Sequence, residues 1–145
     1  MQKKKKRILG KKSRAAGARF ELKVRGKLED DGWIIDKWTN NVDLEEGKLV
    51  KAKPKFIFNP QLKRRIPMGM TLGFPDFIAF KPKGKNYEIV GVEVKTNGYL
   101  DKKEKEKCKW YLDNKIFSKV LIAKPEREGR RINVQYIDFE KKYKK

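Results

Sequence analysis

The chain is 145 residues long, which suits one domain with a substantial core and leaves no room for a second. It carries 39 Lys and Arg against 19 Asp and Glu, a net charge of +20, with one cysteine and no histidine. That inventory excludes an internal disulfide, the Cys/His zinc modules and every hydrolase that needs a histidine base, so hydrolytic chemistry would have to run on Asp, Glu, Lys and a hard metal ion. So large a positive excess selects a polyanionic partner, nucleic acid first, whereas charge enrichment for heat resistance is usually balanced in sign. No apolar run approaches the roughly 18 residues of a membrane span, and the basic start lacks a signal peptide's apolar stretch. The expectation is a soluble, intracellular protein, cytoplasmic in a prokaryotic or virus-type host cell, with no membrane partner.

In chain order, the opening MQKKKKRILGKKSR holds eight basic residues and no acidic one, a composition that repels itself and resists packing. Residues 1–12 read as a basic flexible arm that binds phosphate, or else as a localisation signal or a solvated tail; Lys11, Lys12 and Arg14 are its candidate contacts. Residues 13–145 read as a single domain. Ser13 is placed to cap a helix through RAAGARFELKVRGKLEDD that ends near Gly32. Gly17, Phe20, Val24 and Leu28 recur at helical spacing and should face the core. Glu21 lies on or beside that stripe, either as a stripe-edge ion pair or as a functional carboxylate. WIIDKW, residues 33–38, reads as the first strand.

Residues 39–74 form a basic insert. From Gly47 to Arg65 there are seven cations and no acidic residue: Lys48, Lys51, Lys53, Lys55, Lys63, Arg64 and Arg65. Pro54 forces an edge or a break in KLVKAKPKFIF. Cations interleaved with Phe56, Ile57 and Phe58 suit a nucleic-acid-contacting excursion, and a solvated edge strand would have the same composition.

The stretch GFPDFIAFKPKGKNYEIVGVEVKTNG, residues 73–98, holds two strand-like runs, FPDFIAF and YEIVGVEVK, each interrupted by a carboxylate. Folded as an antiparallel hairpin with Asp76 opposite Glu93, the midpoint falls between Gly84 and Lys85, where KPKGKN supplies turn chemistry. Opposed residues share a face, with Cβ atoms about 5 Å apart. Alternation adds Lys95 to that face and sends Val90, Val92 and Val94 to the other. Two adjacent carboxylates repel, and burial raises the cost unless something positive lies between them. Lys95 could supply it as a structural ion cluster. Mg²⁺ suits the pair better, because it favours oxygen ligands and binds one or two carboxylates together with substrate phosphate. Mn²⁺ would substitute.

Beyond it, Asp101 sits at an N-cap position before a helix whose apolar face is Cys108, Tyr111, Leu112 and Lys115 or Ile116. KVLIAK, residues 119–124, is a buried-type strand, and the remainder reads as a turn, an alternating strand and a basic tail. The order of elements is that of a mixed α/β domain.

The pattern Pro75-Asp76, sixteen residues, then Glu93-Val94-Lys95 resembles the PD-(D/E)XK nuclease superfamily, and the likeness covers most of residues 13–124. Within it the chain is similar to the small archaeal Holliday junction resolvases, through KSRAAGARFELKVRGKLEDDGWIIDKW, and to the VRR-NUC type, through EVKTNGYLDKKEKEKCKWYLDN. The resemblance implies a restriction-endonuclease-like αβββαβ core with a mixed central sheet, the basic insert preceding its second strand. It implies a Mg²⁺-dependent DNA endonuclease, structure-selective in the manner of a Holliday junction resolvase, leaving 5′-phosphate and 3′-hydroxyl ends. Asp76, Glu93 and the Val94 backbone carbonyl would hold the metal with help from Glu21, and Lys95 would position or activate water. On the following helix Glu104 or Lys105 would reach toward the site, Lys105 also being a candidate DNA contact. A homodimer is a further expectation, with Phe74, Phe77 and Trp110 as interface candidates more readily used in core packing. The long insert replaces a short loop of the resolvases. A sequence-specific homing or restriction-type nuclease on the same core, and a non-catalytic nucleic-acid-binding module, are the alternatives.

Overall fold

The computed structural model describes residues 2–53, 56–67 and 73–143, with side chains from Ala15 onward except Ile57 and Pro67. Helix α1 spans Gln2–Asp30. It begins well before Ser13, so the expected cap there is not used and the backbone of the basic opening from Gln2 is helical and continuous with the rest of α1. Gln, Lys, Arg, Leu and Ala all cost little in a helix, and no proline interrupts them. The side chains of Lys11, Lys12 and Arg14 lie outside the described residues. At its other end α1 stops as its composition directs. Gly32 adopts a positive φ of 91°, its N–H donates to the Glu29 carbonyl and that of Trp33 donates to Leu28, closing a Schellman motif.

Strand β1 (Ile34–Lys37) follows. The insert then makes two separate hairpins, β2 (Asn40–Asp43) with β3 (Lys48–Lys51), and β4 (Phe56–Asn59) with β5 (Arg64–Pro67). Asp43 accepts from the N–H groups of Glu45 and Glu46, and Asn59 from those of Gln61 and Leu62, which is why each acidic or amide residue opens a turn. The insert is therefore not one uniform excursion. Val42 and Ala52 of the first hairpin region are buried, whereas Phe56, Phe58 and Leu62 of the second are exposed. Pro54 and Lys55 lie outside the described residues.

Strands β6 (Phe77–Lys83) and β7 (Asn86–Val94) form the expected antiparallel hairpin. Its two-residue turn, Gly84-Lys85, places Gly84 at φ 62°, the conformation a glycine adopts without steric cost. Helix α2 (Lys102–Asp113) crosses over to β8 (Lys119–Glu128), which runs parallel to β7, and β9 (Arg131–Asp138) pairs antiparallel with β8. A short helix α3 (Phe139–Tyr143) buries Phe139 in the stretch expected to be a basic tail. Lys115 and Ile116, expected on the face of α2, lie past its end. Ile116 still packs on the core, while Lys115 takes a positive φ of 57°.

The result is an α/β domain with a five-stranded mixed sheet in the order β1-β6-β7-β8-β9. Strand alternation divides its core. Phe20, Val24 and Leu28 of α1 pack on Ile35, Phe77, Ala79, Val90, Val92 and Ala123 from one face. Cys108 and Tyr111 of α2, with Phe74, Phe117, Val120, Ile122 and Phe139, fill the other. Phe74 and Phe77 are thus core residues, and Trp110 packs against the same cluster partly buried. Among the described residues no helix is long and apolar enough to cross a membrane.

Candidate active site

The carboxyl end of β7 gathers the candidate site residues. Pairing of Phe77 with Val92 continues by one step to set Asp76 opposite Glu93, the register the turn implied. Asp76 lies just outside β6 and is held by its backbone and its side chain together. Its carbonyl accepts from Trp38 N–H at 3.1 Å, and its Oδ2 accepts from Val94 N–H at 2.8 Å.

Glu93 is the one buried charged side chain of the described core, at 5% exposure. Burial pushes its pKa well above the ordinary carboxylate range, and a side-chain hydrogen bond to Asp76, followed by that group's charge, pushes it further; the Lys95 ammonium opposes the rise. Without a cation the negative charge on Glu93 beside Asp76 is therefore disfavoured. Neutralising it is what a divalent ion would do. Among the described residues no group of three or more Asp, Glu, His or Cys side chains forms a complete cage. The pair fits an ion such as Mg²⁺, which takes one or two carboxylates and keeps several waters.

Lys95 follows on the same face. Its Nζ is 4.0 Å from Glu93 Oε2 and 2.7 Å from Glu104 Oε2. Burial pulls its pKa down, but the hydrogen bond to Glu104 and the charges of Glu93, Glu104 and Asp101 outweigh that, and the pKa is raised. Lys95 is an ammonium at neutral pH, a donor and not a base. Of the two residues open in the sequence, then, Glu104 meets Lys95. Its other oxygen, Oε1, accepts from Asp101 N–H at 3.0 Å while Asp101 Oδ1 accepts from Glu104 N–H at 2.8 Å, a capping box that anchors α2. Lys105 turns elsewhere, its Nζ 4.7 Å from the Tyr143 ring centroid.

Glu21 of α1 is half-buried. Burial raises its pKa first and the charge of Asp76 second, against a lowering influence from Lys37. The helix thus brings its carboxylate within electrostatic reach of the pair. Cys108 beside the site is fully buried, and that burial pushes its thiol far up, as do the Glu93 and Glu104 charges. It is a core residue and not a nucleophile.

Sequence reading missed the groups that position Asp76. Trp38 Nε1 donates to Tyr111 Oη at 3.0 Å, and Tyr111 Oη donates to the Phe74 carbonyl, tying β1 and α2 to the segment before Asp76. Burial raises the Tyr111 hydroxyl to about 12, so it stays a donor. Gly91 lets Pro75 lie on the sheet. A Cβ there would stand 2.8 Å from Pro75 Cγ and 2.9 Å from Phe117 Cδ2. A glycine inside a strand was the available signal; for Tyr111, 73 residues from Trp38, there was none.

The candidate phosphate contacts do not converge equally. Lys51, Lys53, Lys63, Arg64 and Arg65 are exposed, whereas the Lys48 ammonium pairs with Glu46 at 2.7 Å. Compared with family models, curated protein sequences and solved structures, the chain has no significant match in any of the three.

Proposed function

We propose that the chain is a divalent-metal-dependent DNA endonuclease of the PD-(D/E)XK type, with α1, β1, β6, β7, α2 and β8 as its αβββαβ core. The observation that carries this reading is the buried Glu93 set opposite Asp76, two carboxylates whose shared charge burial disfavours, with the Lys95 ammonium on the same face. Asp76, Glu93 and the Val94 carbonyl would hold Mg²⁺ or Mn²⁺, with Glu21 supporting its waters. The bound ion would supply Lewis-acid neutralisation of the pair and of the scissile phosphate.

The chain's own residues do the rest. Val94 N–H keeps one Asp76 oxygen directed. Lys95, fixed by Glu104, orients the attacking water or stabilises charge building on the phosphoryl oxygens. Attack at phosphorus forms a new P–O bond and breaks the P–O3′ bond, leaving a 5′-phosphate and a 3′-hydroxyl. The net charge of +20 draws the polyanion in.

The test is incubation of four-way junction, single-stranded, duplex and plasmid DNA with the protein in Mg²⁺ or Mn²⁺, beside Asp76→Ala and Glu93→Ala, with chain mass in solution measured alongside. Cleavage that both variants lose while still binding DNA supports the site. Preference for the junction by a dimer supports a resolvase-like enzyme, and cutting at one defined sequence a restriction-type one. Intact substrates throughout would leave a binding module.

A further inference from the structure

We infer that the β4–β5 ribbon is a base-stacking platform beside the candidate active site, so that the proposed nuclease acts on DNA carrying an unpaired stretch next to the cut. This rests on the nuclease reading of the site and names its substrate class.

The ribbon's root lies at the site. Ala52 N–H donates to the Thr39 carbonyl and Phe74 N–H to that of Asn40, so both ends of the excursion are pinned to adjacent residues. Trp38, next in the chain, donates its N–H to the Asp76 carbonyl. Gly73 permits this approach, because a Cβ there would collide with the Trp38 carbonyl oxygen. The excursion thus leaves and rejoins the domain within a few residues of Asp76.

Its surface is made for a nucleotide. Phe56 and Phe58 are two apart on one strand and so share a face, and they are 53% and 59% exposed. Arg65, directly opposite Phe58, shares that face and is exposed. Residues two apart on a strand are separated by about 6.8 Å, twice the roughly 3.4 Å spacing of stacked bases. One base fits between two such rings. Lys63, Arg64 and Arg65 stand on the turn and return strand, and no acidic residue lies between Gly47 and Phe74 to pair with them. Among the described residues none of the three forms an ion pair, so the apolar face is framed by positive charge that complements a phosphate backbone. A second copy would bring the same sign against it.

The decisive measurement is binding of a labelled single-stranded oligonucleotide and of the matched duplex, in chelator, by the full chain. Phe56→Ala with Phe58→Ala should weaken single-strand binding about ten-fold or more and duplex binding by less than about two-fold. Both positions are exposed, so thermal unfolding should be unchanged. Tyr at both positions should restore single-strand binding and Leu at both should not. Equal losses on the two substrates, no loss, full retention by Leu, or a dimer of the wild type that the double variant turns to monomer would each overturn the inference. The effect of the ribbon variants on metal-free binding does not depend on the metal site, whereas cleavage by Asp76→Ala does not depend on the ribbon, so the two can fail separately.

Discussion

At the residue scale, Glu93 and Glu104 carry opposite kinds of electrostatic work. Glu93 has a folded-state pKa above its unfolded value, so between those two values the native state binds more protons and stability falls as pH rises. In chelator, unfolding by heat or urea should show this decline from the ordinary carboxylate range upward. Glu93→Gln should flatten it and leave the metal-free protein more stable at neutral pH by about 1 kcal/mol or more. Added Mg²⁺ should stabilise the wild type and not that variant. Glu104 instead helps hold the Lys95 pKa up. Glu104→Gln keeps an oxygen for the Asp101 N–H and loses the charge. The alkaline limb of a cleavage pH profile should therefore move to lower pH, while helix content by circular dichroism stays at the wild-type value. A fall in helix content with no shift of the limb would show that Glu104 acts only as a cap.

At the scale of elements, the segment before Asp76 depends on close contact among β1, β7 and α2. Gly91→Ala would drive a methyl group into Pro75 and the Phe117 ring. It should cost about 1–3 kcal/mol by denaturant unfolding, as overpacking in a filled core does. Cleavage should fall more than the loss of folded protein explains, because Pro75 adjoins Asp76. Activity proportional to folded fraction would mean that Gly91 serves packing alone. The hairpin itself was legible, since Gly84-Lys85 sets the register and the register sets Asp76 against Glu93. The partition of the insert was not legible. Nothing local in NVDLEEGKLV says that Val42 reaches the core while Phe56 and Phe58 stay out. Ser13 was an equally misleading signal. A good capping residue does not start a helix when the preceding residues are themselves good helix formers.

At the scale of the whole molecule, a net charge of +20 would make the proposed DNA affinity a function of salt. For duplex DNA the slope of log affinity against log salt should be steep, about −0.9 for each phosphate neutralised. Lys63→Gln with Arg64→Gln, both exposed, should shallow it by about 2 if each contacts a phosphate. An unchanged slope would remove the second hairpin from the phosphate interface. Lys48 and Lys105 should contribute less, their ammonium groups being engaged by Glu46 and by the Tyr143 ring.

Composition alone had removed histidine-based chemistry and an internal disulfide. Strand alternation and turn chemistry within 73–98 determined that Asp76, Glu93 and Lys95 share a face, because that relation is local to one hairpin. The meeting of Lys95 with Glu104 and the approach of Glu21 to Asp76 were settled only by the tertiary structure. So was the anchoring of Phe74 by Tyr111, with the ribbon rooted beside it. Each of these depends on how a helix is rotated against a sheet face, or on partners distant in sequence. Such relations are decided by packing across layers and not by any one segment.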